Sequence, residues 1–245
     1  MDSHNIAFFL IDIVGSTHYK YIKEPEKWKE AYVDFYQQAQ HLVSEEFITL
    51  NKTTDNNHLQ THYWKGLGDA VIYKSSFHSP DDFAQLSKTF FQVFNKVTSI
   101  MLTRHQLELK TCIWYATFPE INLTLATANG DDYIGPDMDL GFRLSSVTLK
   151  NRTFMAMDSV TLLAQSKLKH DYSYLHLGWS KLKGVHHEQQ YPIIQISQNP
   201  SEECRYSQLF SGTRGDLGLG KVDHTTICDV IKGYKENLHY NPSTL

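Results

Sequence analysis

The 245-residue sequence is poor in cysteine, carries no excess of positive charge and contains no long apolar run. Its three cysteines, at positions 112, 204 and 228, lie far apart without CxxC spacing. This pattern argues against a disulfide framework or a zinc site and indicates free thiols. Lys and Arg number 23 against 27 Asp and Glu, giving a net charge of −4. That balance disfavours a nucleic-acid partner, because proteins that bind nucleic acid usually have a strong positive excess.

A membrane-spanning segment is also missing from the sequence. The most apolar early stretch, residues 6–14, is interrupted by Asp12 and is far shorter than the roughly 20 residues of a spanning helix. Residues 1–5 lack the positive charge that begins a signal peptide. Together with the isolated cysteines, these features predict a cytoplasmic protein that does not associate with a membrane.

What the sequence does contain is a series of alternating strand-like and helix-like patterns. A hydrophobic content of 41% and an aromatic content of 13% indicate a folded chain. The order of the patterns predicts a mixed α/β (α+β) fold. Predicted strands cover residues 5–13, 62–64, 70–73, 107–118, 121–128, 155–157, 172–177 and 191–196. Predicted helices cover residues 25–50, 81–104, 136–147, 159–168 and 222–238.

The composition changes after Pro200. Residues 201–220 include four glycines and few apolar side chains, which predicts a loose segment before the last helix. We therefore predict a single catalytic domain over residues 1–198 and a C-terminal appendage over residues 199–245.

Two aspartates stand beside glycine-containing turns. Asp12 comes at the end of the first apolar strand, just before Gly15-Ser16-Thr17, and Asp69 ends the glycine-rich segment of a predicted hairpin. If that hairpin pairs beside the first strand, the two carboxylates come close, and their repulsion favours a cation between them. Carboxylates select Mg²⁺ or Mn²⁺, and free N–H groups of the turn can meet phosphate oxygens. Each aspartate taken alone is better explained as an ordinary capping or turn residue.

Two further segments contain charged side chains at suggestive positions. Asp139 and Arg143 are four residues apart on a predicted helix and therefore share one face. They form either an intrahelical ion pair or a site where Arg143 meets phosphoryl charge. Lys183 lies in a short loop before the last predicted strand, where a solvated role and a phosphate-binding role are about equally favoured.

In their order along the chain, these four segments resemble the motifs of class III nucleotidyl cyclases, the family of adenylate and guanylate cyclase catalytic domains. Residues 8–17 resemble the first metal-binding strand and phosphate turn, and residues 65–69 resemble the second metal-binding hairpin. Residues 133–143 resemble the entrance to the catalytic helix, and residues 183–184 resemble the phosphate-binding lysine. The resemblance extends over residues 5–196 and implies a ferredoxin-like fold with a central, mostly antiparallel sheet and flanking helices.

The resemblance also implies a role for individual residues. The residues implied to bind two divalent cations, Mn²⁺ or Mg²⁺, are Asp12, Asp69 and, through its carbonyl, Ile13. The residues implied to contact phosphate are Gly15, Ser16, Thr17 and Lys183. Lys65 and Asp132 fall at positions that read the base, Arg143 at the position of the transition-state arginine, and Asp139 at a ribose-binding position. In this family the site forms across a homodimer, with Asp12 and Asp69 from one subunit and the other charged residues from its partner.

The sequence departs from the family pattern at two places. Asp139 replaces the usual Asn, and a negative charge there would repel phosphate. Trp114 and Tyr115 replace small residues on a strand that is usually glycine-spaced. A compact cyclase with a remodelled pocket is similar to the bacterial Pycsar cyclases, which make cyclic UMP or cyclic CMP in antiphage defence.

The identity of the substrate base has two interpretations. Trp114, Tyr115 or Tyr63 can fill the room of the second purine ring, which favours UTP or CTP, with UTP preferred. Lys65 and Asp132 offer a donor and an acceptor that suit adenine, so an adenylate cyclase is the alternative. A nucleotide-sensing module without turnover is the alternative of a different class.

Overall fold

The computed structural model describes residues 3–53, 59–128, 130–186, 189–198 and 217–239. The strands are β1 (His4–Ile13), β2 (His62–Gly66), β3 (Ala70–Phe77), β4 (Leu109–Phe118), β5 (Leu123–Thr127), β6 (Gly130–Ile134), β7 (Thr153–Met155), β8 (Ser173–Lys181), β9 (Gln190–Ser197) and β10 (Leu217–Val222). The helices are α1 (Ser16–Ile22), α2 (Pro25–Thr53), α3 (Pro80–His105), α4 (Pro136–Val147), α5 (Met157–Gln165) and α6 (His224–His239). None of the helices in these ranges is long and apolar enough to cross a membrane.

Eight strands form one sheet in the spatial order β10-β8-β9-β7-β4-β1-β3-β2, and β5 pairs with β6 in a separate two-stranded sheet. Neighbouring strands of the large sheet are antiparallel except β4 and β7, which are parallel. The predicted fold class, a mostly antiparallel sheet with flanking helices, is therefore confirmed. The central position of β1 explains its continuous apolar sequence, because a strand with neighbours on both sides and elements above and below is buried on both faces.

The large sheet has two covered faces near β1. Phe9 of β1 stacks on Phe90 of α3, with ring centroids 4.6 Å apart, and we call this side the α3 face. Phe8 points the opposite way, because successive side chains of a strand alternate. It stacks on Trp114 of β4 at 5.5 Å, and α4 covers Trp114 through Gly141, so we call this side the α4 face.

The start of α3 shows how local sequence sets a helix boundary. The Ser79 side chain accepts a hydrogen bond from the Asp82 backbone N–H at 3.1 Å, and the Asp82 carboxylate accepts one from the Ser79 N–H at 3.1 Å. This capping box satisfies two backbone donors that the helix itself leaves free, and Pro80 suits the first helical turn.

The predicted elements differ from the structure at several places, and α1 and β6 were not predicted. The strand predicted at residues 155–157 lies at residues 153–155, and Met157 instead begins α5. Parallel pairing with β4, which sets Thr111 opposite Thr153, decides this register rather than apolar content. The end of the segment predicted to be loose forms β10, which pairs with β8 through Leu217 and Gly178. Residues 201–216 of that segment lie outside the described residues.

The described part of the predicted appendage packs against the rest of the chain. The helix predicted at residues 222–238 is confirmed as α6, and its side chains Ile227, Ile231 and Tyr234 are buried in the core. Tyr234 contacts Trp179 of β8, with ring centroids 5.9 Å apart. The boundary at residue 198 stays a prediction.

Candidate active site

The two aspartates singled out in the sequence come together at one end of β1. Asp12 lies opposite Ala70 of β3, and Asp69 occupies the turn that joins β2 to β3. The Ile13 N–H donates a hydrogen bond to the Asp69 carbonyl at 3.0 Å, which links the strand end to the turn. The hairpin therefore pairs beside β1, which is the arrangement that the expected closeness of the two carboxylates required. The role of Asp12, Asp69 and the Ile13 carbonyl as metal ligands stays a prediction.

The carboxylate of Asp12 has an environment that suits a cation. Burial raises its pKa, and the negative charge of Asp69 raises it further, whereas the Lys110 ammonium acts in the opposite direction. The net direction is upward, so the Lys110 ammonium only partly offsets the effects of burial and of Asp69. Two carboxylates and a backbone carbonyl are hard oxygen donors of the kind that Mg²⁺ and Mn²⁺ prefer. The described residues contain no group of three or more His, Cys, Asp or Glu side chains that could hold a metal ion, so this site would depend on two carboxylates and a carbonyl.

Lys110 is a member of this site that the sequence interpretation missed. Its ammonium lies 3.2 Å from Asp12 Oδ2 and donates to the Ser145 carbonyl of α4 at 3.0 Å, with the side chain only 15% exposed. Lys110 stands opposite Asp12 because β4 pairs antiparallel with β1. The only available signal was a lysine among the apolar residues of a predicted strand.

The turn after β1 contains one buried and one exposed hydroxyl side chain. Gly15 has φ +67°, a left-handed conformation that glycine adopts without strain. The Ser16 hydroxyl is buried and donates a hydrogen bond to the Asp69 carboxylate. Thr17 is exposed in the first turn of α1. The Ser16 side chain therefore contacts a predicted metal ligand, and the role of Gly15, Ser16 and Thr17 in binding phosphate stays a prediction.

The predicted base-reading residues also come together. Lys65 of β2 donates a hydrogen bond to Asp132 Oδ1 of β6 at 2.7 Å, although the two are 67 positions apart in the sequence. This bond lowers the pKa of the Asp132 carboxyl, with a smaller contribution from the Tyr133 N–H that donates to the same oxygen. At neutral pH the pair is therefore a charged donor beside a charged acceptor, both partly exposed.

Trp64 is the aromatic side chain nearest to this pair, and the sequence interpretation missed it. The Lys65 ammonium lies 3.9 Å from the centroid of the Trp64 ring, and the Trp64 indole donates to the Asp131 carbonyl at 3.0 Å. Trp64 also packs against Phe8, with ring centroids 5.2 Å apart, so the pair lies on the α4 face.

The aromatic residues predicted to fill the base pocket lie elsewhere. Tyr115 packs against Phe77 and Phe83 on the α3 face, with ring centroids 5.6 and 6.1 Å apart. Tyr63 packs against Tyr73, which contacts α3. Tyr115 and Tyr63 therefore do not lie beside the pair, and the expectation that they fill a base pocket there is wrong. Alternation along β4 turns Tyr115 to the α3 face, and a register shift in β2 separates Tyr63 from Lys65.

Trp114 lies on the same face as the pair but belongs to the core. It is fully buried, stacks on Phe8 and meets Phe142 of α4 at 5.6 Å between ring centroids. A Cβ atom at Gly141 would overlap its indole ring. Trp114 therefore supports α4 from below rather than lining an open pocket.

Residues of α4 and of the loop after β8 meet at a cavity of about 380 Å³. Asp139 and Gly184 both line it, so the structure brings the predicted ribose-binding residue to the loop that contains Lys183. Asp137 also lines it, and burial raises the pKa of that carboxyl, against the hydrogen bond that Asn122 donates to it at 2.6 Å. Lys183 itself is exposed.

Arg143 is exposed one turn further along α4. In the described residues no ion pair joins it to Asp139, so the intrahelical pair considered for them is not formed. Arg143 is not among the residues that line the cavity with Asp139. Its guanidinium is therefore available to a phosphate or to another subunit.

Comparisons with known proteins agree on one fold. The adenylyl cyclase CyaB from P. aeruginosa is similar with a TM-score of 0.61 at 15% identity, over 82% of this chain and 97% of that chain. The guanylate cyclase domain of RhGC from Catenaria anguillulae, in complex with GTP, has a TM-score of 0.60 at 9% identity, over 80% and 98%. A dimeric guanylyl cyclase domain of the RhoGC fusion protein from Blastocladiella emersonii has a TM-score of 0.56 at 8% identity, over 80% and 98%. No family model and no curated protein matches the sequence.

The chain therefore has the fold of class III adenylyl and guanylyl cyclase catalytic domains. The match spans nearly the whole length of those chains.

Proposed function

We propose that this protein is a nucleotidyl cyclase that converts a nucleoside triphosphate into its 3′,5′-cyclic monophosphate and pyrophosphate. The observation that carries the proposal is the pairing of Asp12 with Asp69 and of Lys65 with Asp132 in one cyclase-like fold. The first pair suits cations and the second suits a base, and a cyclase needs both.

The chemistry is an intramolecular phosphoryl transfer. The 3′-oxygen bonds to the α-phosphorus, the bond to the β-phosphate oxygen breaks, pyrophosphate leaves, and the hydroxyl proton passes to solvent. Two divalent cations, Mn²⁺ or Mg²⁺, held by Asp12, Asp69 and the Ile13 carbonyl would supply Lewis acidity for this displacement. The net charge of the chain is negative, so positive side chains must offset the triphosphate charge locally.

We assign the remaining roles from the resemblance and from the exposed charges. Arg143 meets the charge that develops on the transferring phosphoryl group, Lys183 binds the terminal phosphates, and Asp139 accepts a hydrogen bond from a ribose hydroxyl. Lys110 adds a positive charge beside Asp12. Gly15 and Thr17 present the turn after β1 to phosphate oxygens.

We propose that the active form is a homodimer with sites across its interface. Asp12 and Asp69 come from one subunit, together with the Lys110 that contacts Asp12. The charged residues from its partner are Lys65, Asp132, Arg143 and Lys183. A two-fold dimer then has two equivalent sites. The hairpin of β5 and β6 supports an interface, because contact with a partner would remove its exposed apolar side chains from water. These residues are Leu123, Leu125 and Ile134.

For the base we propose a pyrimidine, UTP or CTP with UTP preferred, and a product that signals in antiphage defence in the cytoplasm. The size of Trp64 beside Lys65 supports a small base, because a bulky indole leaves less room for a second ring. The biological role rests on the resemblance to the Pycsar cyclases.

ATP is the second candidate substrate. Lys65 offers a donor and Asp132 an acceptor, bonded to each other at 2.7 Å, and these types suit a ring nitrogen and the amino group of adenine. This observation favours adenylate cyclase activity and leaves the bulk of Trp64 without a role in selection.

One experiment separates these functions. The purified chain is incubated with Mn²⁺ or Mg²⁺ and each of the four nucleoside triphosphates, and pyrophosphate release and product mass are measured. We expect a cyclic pyrimidine nucleotide, with a preference over purines of about tenfold or more. Dominant cyclic AMP would establish ATP as the substrate. Binding of a triphosphate without turnover would replace the enzyme by a nucleotide sensor.

Two aspartate variants test the proposed metal ligands. Asp12→Ala and Asp69→Ala should lower kcat by more than the roughly 10–100-fold cost of losing a residue that only supports a metal ligand. Asp171→Ala is the matched control, because Asp171 forms a partly exposed ion pair with Lys88 at 2.9 Å. Near-normal turnover of either site variant in Mn²⁺ would contradict the metal assignment.

A further inference from the structure

We propose that Trp64 is the positioning residue of the base-recognition site, which holds Lys65 and Asp132 in the geometry that selects the base. The inference rests on the proposed function, because it concerns how that site reads its substrate. Trp64 does not need to touch the reacting atoms for this role.

The backbone does not fix the distance between Lys65 and Asp132. β2 is the edge strand of the large sheet, whereas β6 belongs to the two-stranded sheet, so no ladder of hydrogen bonds joins them. Side chains make the connection instead. Lys65 reaches Asp132 at 2.7 Å, and the Trp64 indole reaches the Asp131 carbonyl at 3.0 Å, one residue earlier. The two bonds tie neighbouring residues of β2 to neighbouring residues of β6.

A bulge in β2 turns Trp64 toward this contact. The register of β2 against β3 shifts between Tyr63 and Lys65, so Trp64 is the extra residue. Bulges of this kind redirect a side chain and are frequent beside functional sites. Here the bulge places the indole ring beneath the Lys65 ammonium, 3.9 Å from the ring centroid. A cation over a tryptophan face is attracted by the ring quadrupole, which favours this one lysine orientation.

The indole is itself held in place by three aromatic side chains. Its ring centroid lies 5.2 Å from Phe8, 5.3 Å from Tyr133 and 6.5 Å from Phe142. Phe142 belongs to α4, the helix that carries Asp139 and Arg143. The base-reading pair and the catalytic helix therefore rest on one aromatic cluster, with Trp64 between them.

Without the indole, only the hydrogen bond to Asp132 would hold the flexible four-carbon side chain of Lys65 in its orientation. Ordering such a side chain when substrate binds costs free energy, and that cost appears mainly in binding. Trp64→Leu should therefore raise KM for the preferred triphosphate about tenfold, change kcat less than about threefold, and reduce the preference among the four bases. Trp64→Phe keeps a ring but loses the bond to Asp131, so it should be intermediate.

The test compares kcat, KM and thermal unfolding of Trp64→Leu, Trp64→Phe and a control variant, Trp28→Leu. Trp28 is half-buried on α2 and has the Lys29 ammonium 5.8 Å from its ring, so it matches the side chain and its cation. The control should keep wild-type KM and base preference. If Trp64→Leu does not fold, KM and base preference of Trp64→Phe test the proposal instead. Unchanged KM and preference in a folded Trp64 variant would overturn the proposal.

A second readout does not depend on turnover. The Trp64 ring should shift the ε-methylene proton resonances of Lys65 upfield in the NMR spectrum, with assignment by Lys65→Arg, and Trp64→Leu should abolish this shift. Dissociation constants of the four triphosphates are measured on the same variants. If the wild-type protein turns over no triphosphate, the proposed enzymatic function is contradicted, but the positioning role of Trp64 is not. The positioning role is contradicted if the upfield shift is absent, or if the dissociation constants of the four triphosphates are the same in the wild type and the Trp64 variants.

Discussion

The carboxylate of Asp12 is destabilised by its own surroundings. Burial and the neighbouring Asp69 raise its pKa even though Lys110 lies within 3.2 Å. A raised pKa means that the folded state binds a proton more tightly than the unfolded chain does. As pH rises from below about 3.9, the unfolded value, the folded state therefore loses stability relative to the unfolded one.

This sign gives a stability prediction for Asp12→Asn. Without divalent cations at pH 7 to 8, the variant should unfold at a higher temperature than the wild type, because the amide removes the disfavoured charge. The difference should shrink below about pH 4, where Asp12 is protonated in both states. Added Mn²⁺ should raise the unfolding temperature of the wild type and leave the variant almost unchanged. Calorimetry across this pH range measures both effects.

Asp81→Asn is the control with the opposite sign. The Lys167 backbone N–H donates to the Asp81 carboxylate at 2.8 Å and lowers its pKa, so this charge stabilises the fold above the unfolded pKa and that stability is lost as pH falls. Asp81→Asn should therefore lower the unfolding temperature at pH 7. If Asp12→Asn behaves like Asp81→Asn, Asp12 is not an under-compensated charge.

At the scale of elements, the packing of α4 on β4 places the helix that contains the proposed site residues Asp139 and Arg143. The position of Gly141 directly over the Trp114 indole leaves no room for a methyl group. Cys112 of β4 contacts the Gly141 carbonyl through its thiol at 3.7 Å, which confirms how closely the helix approaches the strand. A large residue on the strand and glycine on the helix are therefore complementary.

Gly141→Ala should destabilise the protein by about 1–3 kcal/mol, because overpacking outweighs the roughly 1 kcal/mol that alanine gains over glycine inside a helix. Turnover should fall as well, since a displaced α4 moves Asp139 and Arg143. Denaturant unfolding and kcat are the measurements. In a Trp114→Phe background the same substitution should cost less, as a double-mutant cycle would show.

Gly233→Ala is the matched control for this substitution. Gly233 lies in α6 and a Cβ atom there would meet nothing within 4 Å. The control should be neutral or stabilising by up to about 1 kcal/mol. Equal destabilisation by both substitutions would show that the contact with Trp114 is not the cause.

At the scale of the whole molecule, one chain contains both sets of residues in the proposed site. Asp12, Asp69 and Lys110 lie at the end of β1, whereas Lys65 and Asp132 join β2 to β6. A site across a homodimer would take the first set from one subunit and the second set from its partner. Mixed dimers can test this arrangement directly.

Asp69→Ala and Arg143→Ala should each be inactive alone and partly active when mixed. Random exchange makes half of the dimers mixed, and each mixed dimer has one intact site out of two. Activity should therefore recover to about a quarter of the wild-type value. Subunit exchange is verified by differential labelling, and mixing Asp69→Ala with Asp12→Ala is the control that should stay inactive. No recovery after verified exchange would refute a site shared between subunits.

The sequence by itself determined the chemistry-bearing segments and most of the elements that carry them. The apolar run of β1 ending in Asp12, the glycine-rich turn before Ala70, and the spacing of Asp139 and Arg143 are local patterns. Local patterns follow from backbone preference and burial period, so they can be read one segment at a time. The hairpin itself follows from its local pattern, whereas its pairing beside β1 is only a condition in the sequence interpretation and is established by the structure.

The tertiary structure alone decided which side chains meet. Lys110 faces Asp12 because of the register between β4 and β1, and Tyr115 turns away from the pair because of alternation on that strand. Trp64 reaches Lys65 and Asp131 because of a bulge in β2. Register, face and bulge arise from pairing between strands that are distant in sequence, and a shift by one residue reverses every side chain. No local pattern contains that information.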